Sequence, residues 1–200
     1  LLEHEDQVVR TAAAQALGKI GPAAAPASVV LAKRLGDVLT VRREAAVALK
    51  KIGAGSELAL LIVLGHKDLE VRRSALKILV ELPRLSRRAV KPLIRSLKDR
   101  DAGVRRMAVM ALGRGGEESI EGLVETLNGE DVSLQRTVAG VLGQMGEIAI
   151  PAIPALAQRL MDPDHDLREA SKQALRSIRK ATVDPAVHQQ IDHALQSVGG

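Results

Sequence analysis

The sequence predicts an all-α fold, a right-handed α–α superhelix of about six helix pairs. Three observations predict it. A Val-Arg marker or its close equivalent recurs as Val9-Arg10, Val41-Arg42, Val71-Arg72, Val104-Arg105, Leu134-Gln135 and Leu167-Arg168, at steps of 32, 30, 33, 30 and 33 residues. Repeats of that length are the mark of stacked supersecondary units. Within each unit the apolar positions fall at helical spacing, with a leucine eight residues after every marker: Leu17, Leu49, Leu79, Leu112, Leu142 and Leu175. Finally, the 200 residues contain no Phe, Trp, Tyr or Cys. A β-sandwich or barrel without aromatics would lack the side chains that strands favour.

Taken in order, each unit reads as helix, tight turn, helix. Asp6, Asp68, Asp101, Asp131 and Asp164 stand three residues before their markers, where a carboxylate caps the free N–H groups of a helix start. In the second unit the acid has slipped to Asp37, four before Val41. The first helix then presents one stripe at offsets 0, +4, +8 and +11, with Ala13, Ala45, Ala75 and Ala108 at the second of these. Gly21, Gly53, Gly116 and Gly146 stop it, with Pro83 in that role in the third unit. A shorter second helix runs to Leu35, Leu64, Leu97, Leu127, Leu160 and Leu195, and Pro151 and Pro154 suit the first turn of one of these. The chain is read as a single repeat domain, 1–200, with units at about 6–36, 37–67, 68–100, 101–130, 131–163 and 164–200. Residues 1–5 are expected to be the tail of a preceding unit's second helix, and the chain a piece of a longer array. The sixth unit turns polar at Ser171, Lys172, Gln173, Arg176, Arg179 and Lys180, as a capping repeat should.

Composition narrows the chemistry. Without cysteine or tyrosine there is no disulfide, thiolate metal site, or Cys or Tyr nucleophile. The missing aromatics also remove stacking platforms for single-stranded bases. The net charge of +5 leans toward an anionic partner and equally serves solubility. No run of eighteen apolar residues and no secretory leader are present, so the expectation is a cytoplasmic protein without membrane insertion.

The strings VVRTAAAQALGKIG, VRREAAVALKKIG and VRRMAVMALGRGG resemble HEAT repeats, most of all the short bacterial and archaeal type found in phycobilin lyase subunits. Tetratricopeptide units need aromatic signature positions, and ankyrin units a Thr-Pro-Leu-His turn, and neither is here. The resemblance implies a binding scaffold. It also raises a bilin-handling role, for which no residue carries over.

Two surface features stand out. Arg84, Arg88, Lys91, Arg95 and Lys98 follow spacings of 4, 3, 4 and 3, a basic stripe that could track phosphates. Aligning Leu97 with Leu127, however, sets Arg87, Arg88, Lys91 and Arg95 beside Glu117, Glu118, Glu121 and Glu125. Mutual neutralisation explains both strips without a ligand, and the acidic neighbour would repel phosphates. The second feature is the apolar run Leu58 to Leu64, which is either a buried inner helix or an exposed docking strip. The candidate partner-binding residues are therefore Leu58, Leu60, Leu61, Ile62, Arg88, Lys91, Arg95, Lys98, Glu121 and Glu125. The expected partner is another protein or peptide along the concave helix wall, with nucleic acid as the alternative.

No catalytic residue, metal ligand or cofactor is assigned. Gly113-Arg114-Gly115-Gly116 matches no phosphate-binding pattern and aligns with the ordinary inter-helix turn. His188 and His193 are five apart and so lie on different helix faces. A single His4-Glu5 pair is too few ligands for a dinuclear iron centre, and His165 belongs to a helix start.

Overall fold

The computed structural model describes residues 1–197, and every regular element among them is helical. The first helices of the six repeats are α1 (Gln7–Ile20), α3 (Leu39–Ile52), α5 (Leu69–Glu81), α7 (Ala102–Arg114), α9 (Val132–Met145) and α11 (His165–Ala181). The second helices are α2 (Ser28–Lys33), α4 (Glu57–Ile62), α6 (Val90–Ser96), α8 (Ile120–Leu127), α10 (Ile153–Arg159) and α12 (Pro185–Gln196). Most second helices are only two turns long. All but the last are entered through a 3-10 segment, such as Gly53–Ser56 before α4 and Gly146–Ala152 before α10. Pro154 lies in the first turn of α10, whereas Pro151 sits in the 3-10 segment before it.

The helix ends follow the sequence. The carboxylates of Asp6, Asp68, Asp131 and Asp164 accept backbone N–H groups of α1, α5, α9 and α11, and Asp101 accepts from Val104 at the start of α7. The displaced Asp37 does not cap α3, whose N-cap is Val38. Its carboxylate instead takes the Val38 N–H and the guanidinium groups of Arg10 and Arg34. Gly21, Gly53, Gly116 and Gly146 all have φ between 57° and 69°, the left-handed turn an L side chain resists. Residues 1–5 form a turn in which the His4 N–H donates to the Leu1 carbonyl, as the His66 N–H does to the Val63 carbonyl.

The chain forms two compact units, Leu1–Arg114 and Gly115 onward. In the first, α1, α3, α5 and α7 pack side by side in chain order as one layer, and α2 and α4 make a second layer that continues to the 3-10 turn before α6. In the second unit α9 packs on α11, and α10 lies between α8 and α12. The core is the marker stripe. Val41, Ala45 and Leu49, and likewise Val71, Ala75 and Leu79, are fully enclosed. Each such leucine contributes about 1.5–3 kcal/mol of burial free energy. Where first helices approach most closely the sequence supplies glycine. A Cβ on Gly143 would come within 2.9 Å of the Ala174 Cα, and one on Gly18 within 3.1 Å of the Ala48 Cα.

Coverage of the stripe is uneven. Ile52 is 2% exposed, while Ile20 at the matching position of α1 is 57% exposed, and Val9 is half-buried where Val41 and Val71 are enclosed. Leu17 is only partly covered, unlike its five counterparts. In the second unit Val132–Arg159 is apolar enough in composition to cross a membrane, but half of its apolar window is buried and Gly146 breaks it between α9 and α10.

Candidate functional site

The marker arginine holds one repeat to the next. The Arg72 guanidinium donates to the carbonyls of His66 and Lys67 at 2.9 and 3.1 Å, closing the turn that precedes its own helix. It also makes a two-pronged pair with Asp99, in the turn that leads into the following repeat, at 2.7 and 3.1 Å. Arg10 repeats this with the carbonyls of His4 and Glu5 and with Asp37. Arg105 and Arg168 reach back to their own turns in the same way, and Gln135 does so through its amide, to Leu127 and Gly129. Burial alone would raise the Asp99 carboxyl, but the Arg72 pair and the Asp101 N–H together hold it below its usual range. The same balance, with Arg10, Val38 N–H and Arg34 outweighing burial, depresses Asp37. At Asp101 the Arg73 hydrogen bond acts first and the Val104 N–H second, lowering its pKa from 3.8 to about 2.

This framework fixes the walls of a cleft of about 770 Å³ in the first unit, between the second helices of repeats two and three. Along α4 the apolar run splits. Leu60 is fully buried and Leu61 is 7% exposed, so both belong to the core, whereas Leu58 and Ile62 are each 58% exposed. The helical period explains it: positions four apart share an edge, and this edge faces the cleft. Leu58, Leu61, Ile62 and Leu64 line one side, with Pro92 on α6 opposite. Arg88 and Arg95 stand one turn to either side of Pro92, and Lys67, Arg72 and Arg100 complete a basic rim. The carboxylates at the ends are occupied. Asp99 holds Arg72, and Glu57 takes both the N–H and the hydroxyl of Ser86 at 2.9 Å.

The cleft thus brings together five of the sequence-predicted residues: Leu58, Leu61, Ile62, Arg88 and Arg95. Leu60 is a correction, because a side chain enclosed on every side offers nothing to a partner. Lys91 and Lys98 are exposed but do not line the cleft. Arg84 precedes the helix in an irregular loop, so the basic stripe is not one continuous helical row. Glu121 and Glu125 are exposed on α8, in the second unit. Lys67 and Pro92 were missed in the sequence. The signal for Pro92 and Arg95 was available, since they lie four and seven residues after Arg88 on one helical face.

The remaining candidates have local structural roles. Nδ1 of His4 and of His66 accepts the N–H of the capping Asp6 and Asp68, respectively. Nε2 of His188 donates to the carbonyls of Arg179 and Thr182, closing the end of α11. Gly116 supplies the left-handed turn in the Gly113–Gly116 segment. Among the described residues no group of three His, Asp or Glu side chains is placed to hold a metal ion.

No curated protein matches the chain. Among solved structures it is similar to an engineered protein, with 25% identity over 90% of this chain and 94% of that one and a TM-score of 0.47. A designed armadillo repeat protein is 20% identical over 88% and 96%, with a TM-score of 0.45. The complex of CpcE and CpcF of phycocyanin lyase from Nostoc sp. PCC7120 is 22% identical over 98% and 91%, with a TM-score of 0.43. The family model described as HEAT repeats matches residues 56–131 and 90–176, and the one described as PBS lyase HEAT-like repeat matches residues 9–28. With that match over more than half its length, and with the helix–turn–helix units seen above, the chain belongs to the HEAT-repeat family.

Proposed function

We propose that the chain is a non-catalytic scaffold that binds a protein or peptide in the cleft between α4 and α6. The observation that carries this reading is the pair Leu58 and Ile62, two large aliphatic side chains one turn apart and more than half exposed, at the mouth of a cleft. Apolar area held open in a concave site marks a place where another molecule buries it. Helix-built walls of this kind receive amphipathic helices or extended segments. Because both side chains are exposed, replacing them leaves the repeat core intact, with an expected cost within about 0.5 kcal/mol.

The test is selection from a displayed random-peptide library against the wild-type chain and against the Leu58→Asp, Ile62→Asp double variant. Wild type is expected to enrich a peptide family that the variant does not, at an unchanged melting temperature. Equal enrichment of the same peptides on both proteins would remove the cleft from the reading.

A further inference from the structure

The cleft is chemically lopsided. Its lining holds five cationic side chains, Lys67, Arg72, Arg88, Arg95 and Arg100, against the single carboxylate of Asp99. That carboxylate is spent on Arg72, which is itself held by two carbonyls. Glu57, the nearest acid on α4, is spent on the Ser86 N–H and hydroxyl. Within the first unit Lys67, Arg88, Arg95 and Arg100 have no carboxylate at ion-pair distance. Arg10, Arg73 and Arg136 by contrast are each paired, with Asp37, Asp101 and Asp164.

Resting on the scaffold reading above, we propose that the cleft takes an acidic amphipathic peptide. Its aliphatic residues seat against Leu58, Ile62 and Pro92, and its Asp or Glu side chains meet Arg88, Arg95 and Arg100. The two halves of the chemistry select this partner jointly. A cationic peptide is repelled by the rim, and a neutral apolar one gains nothing from it. A carboxylate gains the two-pronged hydrogen bonding that guanidinium groups offer. A nucleic-acid backbone would satisfy the rim but not the floor, since phosphates gain nothing from leucine and isoleucine. The lining has no Phe, Tyr or Trp ring on which a base could stack.

The experiment is fluorescence anisotropy on the full chain with four labelled probes. One is a short helical peptide with leucines one turn apart and glutamate between them. The second replaces each glutamate by lysine, the third by glutamine, and the fourth probe is an oligonucleotide. The glutamate peptide is expected to bind, to weaken as salt rises, and to lose affinity at least about tenfold (about 1.4 kcal/mol) on Arg88→Glu, Arg95→Glu at an unchanged melting temperature. The lysine peptide is expected not to bind. Equal binding of the glutamate, glutamine and lysine peptides would overturn the acidic partner and leave the scaffold reading standing. Binding of the oligonucleotide alone, abolished by the same arginine variants, would overturn both in favour of a phosphate-tracking surface. Absence of binding by any probe, with library selection also empty, would dispose of the cleft as a binding site.

Discussion

Asp101 sits where a helix start needs an acceptor and where the preceding repeat extends a guanidinium. Its carboxylate takes the Val104 N–H at 2.8 Å and two hydrogen bonds from Arg73 at 3.1 and 2.7 Å. Both interactions favour the charged form, so the folded pKa lies below the ordinary value, at about 2 against 3.8. A depressed carboxylate stabilises the fold fully above the unfolded pKa and loses that contribution as pH falls through the window from 3.8 toward 2. Asn caps a helix about as well as Asp, so Asp101→Asn removes the ion pair and its titration while keeping the cap. Melting temperatures of wild type and Asp101→Asn are expected to differ most above pH 4 and to converge as the pH approaches 2. A constant gap across that range would refute the assignment. Asp37 and Asp99 are shifted in the same direction, so the acid sensitivity belongs to the inter-repeat joints rather than to a single site.

At the scale of the element, much of the architecture was legible. Asp at the starts and glycine at the stops act within four residues of chain, and local chemistry of that range shows in a sequence. Five of the six predicted acids meet the first N–H groups of their helices, and all four predicted glycines adopt the left-handed turn. The exception, Asp37, lies one residue too far from the helix, and a tertiary partner, Arg10, claimed it instead. The marker arginine served as a ruler for the repeat while its work went unread, because its partner lies 27 residues away in sequence. The same holds for the apolar run of α4. Its composition could not separate Leu60 from Ile62, yet its period could, since residues 58 and 62 share one edge.

The arginine's role can be tested at one joint. Arg72 and Asp99 are both largely enclosed, with side-chain exposures of 16% and 11%. Arg72→Met would strand the carboxylate and two carbonyls, at an expected cost of about 1.5–3 kcal/mol. Arg72→Lys keeps the charge but not the fork that reaches four acceptors at once, so it is expected to recover less than half of that loss. Chemical denaturation measures both, and a lysine variant as stable as wild type would show that charge alone suffices.

Across the described residues α1 and α11 are covered to different extents. At the far end α12 lies against α11, Asp184 caps it, Asp192 takes two hydrogen bonds from Arg179, and His188 closes the last turn of α11. Leu175 and Ile178 beneath it are fully covered. On α1 Leu17 is partly open and Ile20 exposed. A helix whose apolar side chains are partly open has fewer enclosed contacts to break and so opens more readily than one fully covered. Amide hydrogens of α1 are therefore expected to exchange faster than those of α3 and α11. Mutation should report the same asymmetry. Leu49→Ala empties a site with no exposure and is expected to cost about 2–5 kcal/mol. Leu17→Ala removes the equivalent side chain where water already reaches it, and less than half of that loss is expected. Equal losses for the two leucines, with matching exchange protection in α1 and α3, would mean that the open stripe of α1 is covered in solution.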